Sequence, residues 1–187
     1  AVAALVLTVL LGWHVRRRPA GFVPVEVVRS PRFLAAAGLA LALAVANFGI
    51  VYAAPALLTE LTGWTSGGLG LALLWPYLGG GAASWLLVSA SARMRFPAVT
   101  ASLAAGGVAA LAMVTVGSGS TLLLFTGMAV GSLAASTGNG ALALRAGDAV
   151  PSAVRPTAMG LFNLCYLLGA AFGPALAAIA VQVFVLR

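Results

Sequence analysis

The sequence predicts an all-α fold, a polytopic bundle of transmembrane helices. Three observations predict it. The 187 residues are 62% hydrophobic and only 7% charged, with a mean hydropathy of +1.10. Soluble domains run at about 45–50% apolar and about 25% charged. Long apolar runs recur along the chain, each near the roughly 20 residues that a helix needs to cross the hydrocarbon core. Nine of the ten basic residues, all arginine, fall on alternate connections between those runs, the tenth being Arg187.

A truncated span is expected at 1–15. Its basic cluster follows the apolar run, the reverse of a signal peptide. His14, beside this cluster, reads as a membrane-interface residue. The opening at Ala1 and the stop after Val185, Leu186 and Arg187 predict a piece of a longer protein, truncated at both ends. A basic cytoplasmic loop is expected over 16–32. A five-span bundle then occupies 33–187, with spans near 33–58, 67–91, 97–117, 120–144 and 156–186. The breaks are short: "TELTGWTSG", "SARMRFP", "GSGS" and "RAGDAVPSAVRP". Barrel strands are excluded, because the runs are long and do not alternate.

Arg16, Arg17, Arg18, Arg29 and Arg32 belong to the first connection, Arg93 and Arg95 to the third, Arg145 and Arg155 to the fifth. If every span crosses, those connections share one side, which the positive-inside tendency makes cytoplasmic. The same topology explains the net charge of +7 without nucleic acid as a partner.

Within the spans, small residues four positions apart recur. Gly127 and Gly131, Gly80 and Ser84, Ser132, Ser136 and Gly140, and Gly169 and Gly173 are the examples. Helices associate in lipid by such close contact. Gly160, Gly169, Gly173 and Pro174 mark the sixth span as one that packs tightly and bends. Polar residues are shared unevenly. Asn47 and Tyr52, Trp75 and Tyr77, the Ser136–Thr137–Asn139 group, and Asn163 and Tyr166 lie on four spans. An unpaired amide in hydrocarbon is costly. Asn47, Tyr52, Trp75, Tyr77, Asn163 and Tyr166 are therefore expected to line a shared polar cavity. The span at 97–117 has only hydroxyls and is expected to stand outside it, facing lipid.

Cys165, the single cysteine, reads as a small apolar residue. Glu26, Glu60 and Asp148 all fall in connections, so no span carries an acid to relay protons. With no phosphate loop, metal-ligand cluster or Ser/His/acid set, an enzyme is not expected, and neither is a bound metal or cofactor.

Three stretches resemble a known family. "RRRPAGFVPVEVVRSPRFL", "YAAPALLTELTGWTSGGLGLALLWPYLGG" and "VPSAVRPTAMGLFNLCYLLGAAFGPALAA" are similar to segments in the C-terminal half of major facilitator superfamily transporters. The likeness is greatest to the fourteen-span drug:proton antiporters. Gly160, Gly169, Gly173 and Pro174 stand at the spacing of the antiporter glycine-proline motif, with Ala177 and Ala178 replacing its final glycine pair. In "LVSASARMRFP" the family's cytoplasmic loop motif keeps Arg93 and Arg95 but has Ser91 near the Asp position.

The resemblance implies a multi-pass protein of the bacterial plasma membrane. It would export lipophilic or cationic small molecules by alternating access, driven by the proton gradient. Its partners would be the substrate, the bilayer and an N-terminal half of the same chain. The alternatives are a major facilitator importer of a sugar or organic acid, and a non-transporting membrane scaffold.

Overall fold

The computed structural model describes residues 23–185, with side chains described through residue 180. The expected opening span at 1–15, His14, Arg16, Arg17, Arg18 and Arg187 lie outside the described residues. Among the described residues the chain is all-helical, without strands. The elements are α1 (Val25–Arg29), α2 (Pro31–Thr62), α3 (Ser66–Ser91), α4 (Phe96–Val116), α5 (Thr121–Asp148), a single 3₁₀ turn (Ser152–Val154) and α6 (Arg155–Val185). The five helices α2 to α6 are long and apolar enough to cross a membrane, one for each expected span. The 16–32 connection is not all loop: α1 forms within it, and its Val27 is fully buried against the bundle end.

Local signals set the helix ends. Ser30 caps α2 by accepting from Phe33 N at 3.3 Å, ahead of Pro31 in the first turn. Gly63, at φ +64°, stops α2 in the left-handed conformation that favours glycine. Thr65 and Ser120 cap α3 and α5 in the same way as Ser30. Several hydroxyls inside the spans bond back to their own helix, as Ser84 does to Gly81 O (2.6 Å) and Thr115 to Leu111 O (2.9 Å). They therefore need no polar neighbour in lipid.

At the centre stand α2 and α5. Helix α2 packs along α6 and α5, while α5 also carries α4 and α3; α3 barely meets α2. Two apolar clusters fill the interior. One, at the arginine-bearing end, includes Phe33, Leu103, Leu142 and Phe162. The other includes Ile50, Leu58, Leu124 and Met128.

The span expected to face lipid, 97–117, leaves Val108, Leu111 and Val116 exposed yet packs one stripe of its surface. Helix α4 buries Val99, Leu103, Gly107, Ala110 and Val114 against α2 and α5. The least covered helices are α3 and α6. Lack of amides does not keep α4 outside, because its small residues let a neighbour come close.

Close approach is most acute where α2 meets α6. A Cβ on Gly173 would lie 2.7 Å from Val45 O and 2.9 Å from Gly49 N. One on Gly169 would lie 2.8 Å from Ala44 Cβ. Leu43 of α2 fills the space left by two glycines at the junction with α4 and α5. Cβ atoms there would stand 2.8 Å (Gly107) and 2.6 Å (Gly138) from its methyls. Gly127 and Gly131 face α4 and α2, and Gly80 faces Ala129 and Ser132. Gly160 differs from the other glycines of its motif: among the described residues a Cβ there would meet nothing within 4 Å. Helix α6 continues unbroken through Pro174, which is half-buried.

Candidate functional site: a polar end and unpaired polar atoms in the span interior

The arginine-bearing connections lie together at one end of the bundle. Ser30 Oγ donates to Ala149 O (3.1 Å), joining the first connection to the fifth. Arg145 Nη2 donates to Ser91 O (2.7 Å) and Met94 O (2.6 Å), joining the fifth to the third. Alternate connections must share an end when each helix crosses once, and these bonds hold them there.

The arginines there have separate tasks. Helix C-termini present unpaired carbonyls and a partial negative charge. Arg145, from the last turn of α5, satisfies carbonyls at and just beyond the end of α3. Arg155, at the start of α6, donates from Nε to Gly147 O (2.9 Å) near the end of α5 and pairs with Asp148 at 3.2 Å. Arg93 and Arg95, the remnant of the loop motif, are exposed. Arg145 and Arg155 were read from sequence only as topology markers. Their capping role has little sequence signal, since Arg145 reaches carbonyls more than fifty residues away and Arg155 stands seven residues past Asp148.

Arg145→Gln is expected to lower stability by about 1.5–3 kcal/mol, the range for hydrogen bonds from a charged donor. Arg93→Gln should stay within about 0.5 kcal/mol of the parent. Reversible unfolding in detergent micelles compares the two, and equal losses would refute the capping role.

The six residues expected to share a cavity are dispersed. Asn47 sits inside the α2–α4–α5 junction, with Oδ1 3.7 Å from where a Cβ on Gly131 would stand. That oxygen is buried without a hydrogen-bond partner among the described residues, as are Tyr77 Oη and Thr137 Oγ1. Tyr77 packs on the cluster containing Ile50 and Met128. Tyr166 meets Phe48 edge to face, ring centroids 6.4 Å apart, across the contact of α2 and α6. Tyr52 and Asn163 are exposed.

Trp75, 80% exposed, lines an open groove of about 410 Å³ between α3 and α5 with Trp64, Pro76 and Phe125. A second open groove of about 450 Å³ lies beside it, along Gly63, Trp64, Thr65, Gly68 and Ala72. Neither groove includes Asn47, Tyr52, Tyr77, Asn163 or Tyr166. Thr137, noted in the sequence among the polar residues of its span but not among the six expected to line the cavity, is the most deeply buried of the unpaired groups, at 5% exposure. Among the described residues no three His, Cys, Asp or Glu side chains gather as a metal site would require.

The arrangement can hold polar groups at membrane depth, but within the described residues it does not close a chamber around them. In comparison with protein-family models, curated proteins and solved structures, the chain matches none.

Proposed function

We propose that this chain belongs to a secondary transporter of the bacterial plasma membrane, exporting lipophilic or cationic small molecules in exchange for protons. In this reading the five helices form one half of an alternating-access bundle of the major facilitator type, and further helices complete its polar interior. The arginine-bearing end faces the cytoplasm, as the positive-inside tendency requires.

The observation that carries the reading is polarity left unpaired at membrane depth. Asn47 Oδ1, Tyr77 Oη and Thr137 Oγ1 are buried without partners among the described residues, and Asn163 stands exposed on α6. Each unpaired polar group in a non-aqueous interior costs on the order of 1–3 kcal/mol. A scaffold would be served by the glycine crossings alone and gains nothing from these groups. A transporter uses them for water and substrate.

Expression of the gene in an efflux-deficient bacterial host tests this. Ethidium should leave energised cells faster than vector controls, and a protonophore should abolish the difference. Asn163→Leu is expected to cut the rate about tenfold at an unchanged amount of membrane protein, a loss of one well-placed polar contact. Rates equal to the vector control across a panel of cationic and neutral compounds would overturn the proposal.

A further inference from the structure

The arginines at the polar end divide into two classes. Arg145 and Arg155 are bound to helix carbonyls and to Asp148. Arg29, Arg32, Arg93 and Arg95 are exposed and make no hydrogen bond or ion pair with any described residue. This second set does not follow from helix capping.

Their placement is specific. Arg32 directly precedes Phe33, and Arg95 directly precedes Phe96. Both rings belong to one apolar cluster, Phe33 in its buried part and Phe96 packed against it. The two arginines therefore stand on the rim of a single cluster, one at the start of α2 and one at the start of α4. Exposed apolar side chains alternate with the charges. Val28 (43% exposed) adjoins Arg29, Met94 (43%) lies between Arg93 and Arg95, and Leu34 (50%) follows Arg32.

A site for a soluble anion would gather donors in a concave, water-facing pocket. Charge interleaved with exposed apolar groups at the ends of membrane-length helices suits a surface that is itself half charged and half apolar. We infer that Arg29, Arg32, Arg93 and Arg95 form a binding surface for anionic phospholipid headgroups. The guanidinium groups engage the phosphates, and Val28, Leu34 and Met94 rest against the upper acyl chains. Juxtamembrane arginines attract anionic lipid by roughly 1 kcal/mol each, about fivefold in association per residue. Arginine also holds phosphate oxygens through two parallel donors. The inference stands on the membrane-spanning character of the helices and is independent of transport.

The test uses the full chain in phosphatidylcholine nanodiscs carrying a trace of spin-labelled phosphatidylglycerol or spin-labelled phosphatidylcholine. The motionally restricted fraction of each label measures its relative association. Phosphatidylglycerol should be preferred by about threefold or more, and the preference should weaken as salt screens the charges. Arg32→Gln with Arg95→Gln should lower the ratio severalfold, whereas Arg32→Lys with Arg95→Lys should keep most of it. Arg145→Gln should lower thermal stability and leave the ratio unchanged. Millimolar inorganic phosphate should have no effect beyond its ionic strength.

A ratio of one for the parent chain overturns the inference, and so does loss of the preference to inorganic phosphate alone. Should the double glutamine variant not fold, the decision rests on the parent ratio, its salt dependence and the lysine variant.

Discussion

Gly173→Val will push α6 away from α2 and cost about 3 kcal/mol, the upper end of the range for overpacking a tight interior. The reason is what the new side chain meets. A Cβ at 173 would approach Val45 O and Gly49 N, both backbone atoms, as well as Phe48 Cβ. Side chains can change rotamer, but helix backbone cannot yield without moving the helix. The α2–α6 pairing is the most extensive in the bundle, and α6 has little other support.

Gly160→Ala in the same helix is the matched control. Among the described residues nothing lies within 4 Å of a Cβ there, so the helix gains roughly up to 1 kcal/mol of propensity and loses no described contact. Unfolding in micelles monitored by far-ultraviolet dichroism compares the two. If Gly173→Val and Gly160→Ala unfold alike, the close crossing of α2 and α6 is refuted.

Leu43→Ala should cost about 2–5 kcal/mol, the range for large-to-small changes in a packed core. Leu43 is buried at 4% exposure, between the glycines of two other helices. Gly107 and Gly138 have no side chains with which to fill the vacated space, so the void remains. A cycle makes the test sharp. Gly138→Ala alone should also destabilise, because its Cβ would stand 2.6 Å from Leu43 Cδ1, with the next neighbours at 3.8 and 3.9 Å. In the Leu43→Ala background that obstacle is gone and the added methyl fills part of the void. The pair should then be coupled by about 0.5–3 kcal/mol in the direction of rescue. Strict additivity would show that Leu43 and Gly138 do not touch.

The same packing explains what was and was not legible in the sequence. The five spans could be read because run length is a local property, and each has its helix. The glycine pair at 169 and 173 was legible as a contact by its spacing, and the structure supplies α2 as its neighbour. Gly160 follows the same motif yet faces open space, because spacing cannot say which side of a helix meets another helix. The polar residues show the same limit. Asn47, expected to line a polar cavity, lies inside a three-helix junction; Asn163 is exposed, and Trp75 lies in a groove away from both. The stripe that α4 packs on α2 and α5 is likewise invisible in its composition, which shows only the lack of amides.

Helix number, length, caps and the alternation of arginine were determined by the sequence alone, since each depends on hydrophobicity and hydrogen bonding along a continuous stretch. Burial was decided by the tertiary structure. In a soluble protein the covered face is the apolar one and shows as a periodic stripe. Here every face is apolar, because lipid is as apolar as the interior, and the stripe disappears. What selects the buried face is fit between surfaces, Leu43 between Gly107 and Gly138 and Gly173 against Gly49. That fit is a property of pairs of helices that neither segment carries by itself.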